Sequence, residues 1–453
     1  MSLAHIRRLA KGLPSALPRV PQAGRDGTRR EVVTTSQISR FWAYGAAFMV
    51  GAGILAGNDV LFGLGMLLLG TIGVAWLWTR HCLRNLTVHR RFNQTRAFFG
   101  EEVDMALVFT NAKPLPVPWL GVEDQYPGTL QLVRPDGQTP AVRATTKHLS
   151  SVVSLGWYER VTRHYKFRCT ARGEHSFGPV VIESGDVFGL FRRTETISTP
   201  HTLIVYPRYV PVERLGIPAR QPFGDFKAMQ HLATDPLRIR SVREYAYGDN
   251  PRHIHWKATA RRGALQTKLF EPAATPQLFI FCNQDTFTRM WEGIDPETLD
   301  LTITVAASLA NHALEQGYMV GLQVNAFSAS SDRQVRILPS RNPNQLTRIL
   351  EALARIRGWS GLPMEDLIRA ERRNLPIACT IVVVTGVVTD DLLDILVALR
   401  RAGHPVTLVE TIGSHRAASW ARHASAEALD SQGIVYYRVE SIGEASKVEA
   451  LDL

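Results

Sequence analysis

The chain has 453 residues, 45% of them hydrophobic, and a formal net charge of +11. That apolar content is enough for several cores and excludes a chain disordered throughout. Cys82, Cys169, Cys282 and Cys379 are scattered without a C-x-x-C pair, which excludes a zinc ribbon and speaks against an extracellular disulfide framework.

The positive charge is concentrated at one end. Residues 1–96 hold thirteen Lys/Arg against three acids, and the rest of the chain is nearly balanced. Charge placed like this flanks an apolar stretch and is not spread over a nucleic-acid-binding face. Residues 1–40 carry Pro14, Pro18 and Pro21 and no short apolar core after the first charges. They read as a basic cytosolic tail lying against anionic lipid, not as a signal peptide.

Residues 41–78 are almost wholly apolar and break at Asn58-Asp59. One helix of that length would reach about 57 Å, nearly twice the hydrocarbon thickness. The stretch therefore predicts a two-helix transmembrane hairpin, 41–57 and 60–78. Gly53 and Gly57 would let the helices approach closely. Trp42, Tyr44, Trp76 and Trp78 would form one interfacial belt, and arginines outside both ends place both termini in the cytoplasm. The expected location is the cytoplasmic membrane, with the soluble domains on the cytoplasmic side.

Residues 85–206 read as strands. Val103, Met105, Leu107 and Phe109 alternate with Asp104, Ala106, Val108 and Thr110, and Tyr165, Phe167 and Cys169 alternate likewise. Gly and Pro turns between such runs predict a β-sandwich, immunoglobulin-like, with no catalytic constellation. Pro207, Pro211, Pro218 and Pro222 make 207–236 a semi-extended connector.

Residues 237–276 hold the densest chemistry, with Arg238, Arg240, Arg243, Arg252, Lys257 and Arg261 among few acids. Gly248-Asp249 predicts a turn, and Asp249 or Asn250 is placed to cap a helix with Pro251 in its first turn. That helix runs through Trp256, expected as a core anchor, to Gly263. His253 and His255 stand two apart, which on a helix does not make a shared metal site.

The string Arg243-Glu244-Tyr245, Gly248-Asp249, Arg252-x-Ile254-x-Trp256 and Ala260-Arg261 resembles the signature of the bacterial family known as domain of unknown function 58. The resemblance runs more loosely from about Phe41 to the C-terminus, taking in Ala171-Arg172-Gly173 and Asp186–Phe191 at the end of its β-rich domain. It implies a membrane hairpin, that domain, the signature and a von Willebrand factor type A-like domain. It also implies association with MoxR-type AAA+ ATPases; the family has no settled activity. Two roles stay open for the signature. Arg243, Asp249 and Arg252 form a buried ion-pair network, or Arg238, Arg240, Arg252, Lys257 and Arg261 with Asn283–Phe287 form a partner-binding surface. Tyr245 and Gly248 belong to either.

From residue 277 to 445 strands and helices alternate, which predicts an α/β doubly wound sheet; the resemblance narrows that to the von Willebrand type. A metal-competent domain of that type carries Asp-x-Ser-x-Ser after its first strand, whereas this chain has Asn283-Gln284-Asp285-Thr286-Phe287. An amide and an aromatic ring replace two hard oxygen ligands. No cofactor is expected, Mg²⁺ at a degenerate site of Asn283, Asp285, Thr286 and Asp390 or Asp391 being the weaker alternative.

The chain has no phosphate-cradling G-x-x-x-x-G-K-[ST] loop, no G-x-S-x-G and no H-E-x-x-H. The expectation is a membrane-anchored, non-enzymatic adaptor or assembly factor with protein partners, among them a MoxR-type AAA+ ATPase, and membrane lipid but no nucleic acid. Two other readings are a nucleic-acid binder using residues 237–271 and an unrecognised hydrolase of envelope precursors.

Overall fold

The structure, a computed structural model, describes residues 29–36, 40–133, 146–218, 223, 234–272, 276–289, 292–328, 331–376, 379–413 and 426–440. It divides into two compact units. The first comprises residues 1–95, 102–170 and 175–203; the second comprises 96–101, 171–174 and 204–453.

In the first unit, strand β1 (Arg29–Ser36) precedes helices α1 (Arg40–Ala56) and α2 (Asp59–Cys82). Asn58 caps α2, its side chain accepting from the Val60 and Leu61 amides at 3.1 and 3.2 Å. Among the described residues only α2 is long and apolar enough to cross a membrane, and little of it is buried. The two helices pack against each other through glycine. A Cβ on Gly53 would stand 2.5 Å from the Phe62 backbone, and one on Gly65 would stand 2.8 Å from the Val50 backbone. Gly57 has another role: it turns the chain at φ +60°, and a Cβ there would meet nothing within 4 Å.

Strands β2 (Leu86–Phe92), β3 (Glu102–Asn111), β4 (Val117–Pro127), β5 (Leu130–Val133), β6 (Thr146–Leu155), β7 (Arg160–Cys169), β8 (Val180–Gly185) and β9 (Phe191–Ser198) follow in this unit. They form two antiparallel sheets, β1-β9-β8-β4-β6 and β2-β3-β7-β5. The sheets face each other, Tyr126 of one against Phe167 of the other with ring centroids 5.2 Å apart. Between them lies a fully buried ion pair: Arg90 Nε and Nη2 donate to Asp124 at 2.9 and 2.6 Å. The tail expectation fails for residues 29–36. They pair antiparallel with β9, Arg29 opposite Ser198 and Ser36 opposite Phe191.

In the second unit, β10 (Thr234–Glu244) and β11 (Gln266–Pro272) form a two-stranded antiparallel hairpin around the short helix α3 (Trp256–Arg262). A larger sheet follows from β12 (Gln277–Cys282), α4 (Pro296–Glu315), β13 (Met319–Ser328), β14 (Ser331–Ser340), α5 (Gln345–Ala354), α6 (Met364–Glu371), β15 (Thr380–Thr385), α7 (Asp390–Arg401), β16 (Val406–Ile412), α8 (Ala426–Ser431) and β17 (Val435–Glu440). The order is β14-β13-β12-β15-β16-β17, with the short strand Ile356–Ser360 also on β13; β14 and that short strand pair antiparallel with β13 and the others are parallel. Successive residues of the central strands serve opposite faces. Leu278, Ile280, Val382 and Val384 join Ile303 and Leu350 in one core, and Phe279, Phe281, Ile381 and Val383 join Leu367 and Leu396 in the other. The sheet is doubly wound as expected.

The connector expectation is corrected in part. Val212, Ile217 and Phe223 are buried in the first of these cores, so this Pro-rich stretch is partly core-forming. Residues 219–222 and 224–233 lie outside the described residues. All four cysteines are buried and outside any disulfide, and burial pushes the Cys282 and Cys379 thiols up to about 12.

Candidate functional site

Two features of the second unit gather the chemistry. The first is the signature. Asp249 closes its turn: the Ala246 amide donates to Oδ2 at 3.0 Å, Arg243 Nη2 to Oδ1 at 2.6 Å, and Thr267 Oγ1 to Oδ2 at 3.3 Å. The Tyr245 hydroxyl donates to the Asp249 carbonyl at 3.1 Å. Gly248 takes φ +104°, which a side chain would resist. The Ala246 amide and the Arg243 guanidinium hold the Asp249 carboxyl below its ordinary 3.8.

The helix is shorter than expected and starts later. Residues Pro251–His253 form a 3₁₀ turn, capped by the Asn250 side chain, which accepts from the Arg252 amide at 3.1 Å. His255 Nδ1 then caps α3, accepting from the Ala258 amide at 3.1 Å. Gly263 ends α3 at φ +70°. His255 is thus a cap, a role its sequence context did not reveal.

Two expectations about this segment are corrected. The Arg243–Asp249 pair is not buried, the arginine side chain being 44% exposed; Arg252 is exposed outright. Trp256 is not a core anchor: it is 69% exposed, because a seven-residue helix with no buried position offers no core to enter. Tyr247 projects fully into solvent, and Lys257 and Arg261 are exposed as well. The side chains of Arg238 and Arg240 lie outside what the structure describes. The signature therefore combines one shape-fixing ion pair with an exposed aromatic and cationic surface.

The second feature lies at the carboxyl ends of β12 and β15. Chain connections leave these neighbouring strands in opposite directions, and in open α/β sheets ligands gather at such a switch point. A cleft of about 100 Å³ opens there, lined by Asn283, Asp285, Phe287, Glu365, Val387 and Thr389, among others. Asn325 organises its floor. Its Nδ2 donates to Asn283 Oδ1 and Asp285 Oδ2, both at 2.8 Å, and its Oδ1 accepts from the Gln284 amide at 2.9 Å. Asn283 Nδ2 donates to Thr385 Oγ1 at 3.0 Å, and Thr286 Oγ1 accepts from the Asp295 amide at 2.8 Å.

These residues do not fit a divalent cation. Asn283 Oδ1 already accepts from Asn325 and from the Asp285 amide at 3.0 Å, and its Nδ2 turns a donor toward Thr385. Among the described residues no three His, Cys, Asp or Glu side chains group as metal ligands. Asp390 opens α7 and is exposed; the cleft takes Thr389 from this segment. Asn325 and Glu365 went unnoticed in the sequence. Asn325 did leave a signal, as one of two amides, with Gln323, in the otherwise apolar stretch Val320–Ala326.

Comparison with known proteins places both features in one family segment. Residues 241–416 match the family model described as "Protein of unknown function DUF58". The uncharacterized protein YeaD of Bacillus subtilis (strain 168) is 27% identical over 328 residues, which are 70% of this chain and 75% of that protein. Similarity to solved structures is slight. A DNA-bound alkylpurine glycosylase, AlkC of Pseudomonas fluorescens, aligns over 36% of this chain and 42% of its own at 11% identity and TM-score 0.18. A type II cohesin domain from Acetivibrio cellulolyticus aligns over 26% of this chain and 95% of its own at 12% identity and TM-score 0.20. Scores so low carry no argument. The match to the family described as protein of unknown function DUF58 takes in the signature turn and both strand ends of the cleft.

Proposed function

We propose that this protein is a membrane-anchored, non-enzymatic adaptor that binds an acidic protein partner through the signature, and that it works with an AAA+ ATPase of the MoxR type. In this reading α1 and α2 both span the cytoplasmic membrane, and both soluble units lie in the cytoplasm. The sheet of the second unit serves as a von Willebrand type A-like recognition domain without an ion, and the paired sheets of the first as an immunoglobulin-like spacer.

One observation carries the reading: Tyr247, Arg252, Trp256, Lys257 and Arg261 are exposed around a turn whose shape Asp249 fixes. Exposed aromatic and arginine side chains on a rigid support have the composition of interface hot spots. Their positive charge selects an acidic partner through encounter rate and register. A truncation at such a centre costs about 2 kcal/mol of binding or more, roughly thirtyfold.

The test is crosslinking and pull-down from membranes with the full chain and two variants. Trp256→Ala with Arg252→Ala is expected to lose an AAA+ ATPase that the parent chain recovers. Glu292→Ala, an exposed change outside the signature, is expected to retain it. Recovery of no ATPase by the parent, or equal recovery by both variants, refutes the proposal.

A further inference from the structure

The first unit carries large apolar side chains at two turns that nothing in the adaptor reading uses. Trp157 and Tyr158, between β6 and β7, are 73% and 70% exposed; Val187 and Phe188, between β8 and β9, are 63% and 62% exposed. Both turns are built to hold them outward. Asn111 Nδ2 donates to the Gly156 carbonyl at 2.7 Å, and Glu159 Oε2 accepts from the Gly156 amide at 2.5 Å. Tyr158 itself takes φ +49°, a left-handed conformation rare for an aromatic residue and maintained only where surrounding bonds enforce it. In the other turn the buried Asp186 carboxylate accepts from the amides of Phe188, Leu190 and Phe191 at 2.8, 3.2 and 2.7 Å.

Each turn is tied to the last residues of α2 through a single cation. The Lys113 carbonyl accepts from the Tyr158 amide at 3.3 Å. Its ammonium reaches the other way, donating to the Cys82 carbonyl and, at 2.8 Å, to the Arg84 carbonyl. Arg193, two residues past Phe191, donates to the Arg80 carbonyl at 3.1 Å. Cations at these carbonyls are where a helix C-terminus favours them, and they graft the sandwich onto the helix end. From Trp76 to Cys82 the helix rises only about 9 Å, little more than one headgroup layer. The acids of this end are engaged, Glu159 and Asp186 in their turns and Glu183 with Arg192 at 3.3 Å. Arg80, Arg84 and Arg160 are exposed.

We propose that this end of the sandwich rests in the membrane: Trp157, Tyr158, Val187 and Phe188 enter the headgroup layer of the leaflet from which α2 emerges, and Arg80, Arg84 and Arg160 meet anionic headgroups there. The inference rests on α2 being embedded in lipid. Aromatic side chains with one polar edge suit that layer. Four side chains and two cation ties would clamp the first unit against the bilayer, so that it does not swing on a tether.

The test uses the full chain in bilayers of phosphatidylcholine and phosphatidylglycerol. Nitroxides go onto Trp157→Cys, Phe188→Cys, Lys166→Cys and Leu67→Cys, one at a time; the four native thiols are buried. Lys166 lies about 20 Å along β7 from its first residue and serves as the aqueous reference, and Leu67 within α2 is the lipid reference. Expected is an oxygen-to-nickel collision ratio several-fold higher at 157 and 188 than at 166. Ratios at 157 and 188 equal to that at 166, with 67 still lipid-exposed, overturn this proposal alone. Labels at 157 and 188 shielded from both reagents mean a protein covers them, a second copy or a partner, and overturn it too. Water access at 67 overturns it together with the membrane reading.

Discussion

Asp249 shows how one side chain fixes a surface it does not itself form. Its carboxylate accepts from the Ala246 amide, Arg243 and Thr267, and those donors lower its pKa. The sign of the linkage follows. A carboxyl depressed in the folded state contributes stability above its unfolded value, near 3.8, and loses it as pH falls through the lower folded value. Hydrogen exchange should therefore find the Ala246 amide equally protected from neutral pH down to the ordinary carboxylate range, with protection lost only below it. In Asp249→Ala the protection should be gone at every pH. An onset of exchange well above the carboxylate range in the parent chain would refute this role. The spacing Gly248-Asp249 made the turn legible. What the carboxylate bonds was not: Thr267 is brought to it by the hairpin register, Arg243 opposite Thr267, and the local donor is Ala246, upstream in the turn, not the start of a helix.

At the scale of elements, legibility followed period. The alternation through Val103–Thr110 became β3. Gly263 ended its helix as expected. Two misreadings have one cause, a partner remote in sequence, and a third is local. Arg29–Ser36 is charged and polar, and nothing local announces a strand whose mate begins at Phe191. Val212, Ile217 and Phe223 look like spacers among prolines until the sheet of the second unit covers them. Trp256 looks like core until α3 proves too short to bury anything. The glycines of the helix pair give a direct test of the packing. Gly65→Val would drive a side chain into the Val50 backbone, whereas Gly63→Val meets nothing within 4 Å. The first should cost about 1–3 kcal/mol, as overpacking does, and the second close to nothing. Thermal unfolding of the full chain in nanodiscs compares them, and equal midpoints would exclude the close helix contact.

For the whole molecule, the strand mistaken for a tail bears on how the chain meets a membrane. β1 precedes α1, and β9 follows α2, yet the two are neighbours in one sheet. A sheet cannot be threaded by hydrocarbon, since its backbone groups would go unsatisfied there. If α2 crosses, α1 must therefore cross back, although its 17 residues reach only about 26 Å, short of the roughly 30 Å core. Local thinning accommodates a deficit of that size at modest cost. The charges agree: thirteen Lys/Arg lie in residues 1–96, and none at the turn between the helices, where Asn58 stands and Asp59 opens α2. The positive-inside rule then favours the cytoplasm for both ends. Tags at the two termini of the full chain should both resist protease in intact spheroplasts and both be digested in inverted vesicles. An N-terminal tag digested outside while the C-terminal tag stays protected would leave α2 as a single span, and the β1–β9 pairing would have to be abandoned with the hairpin.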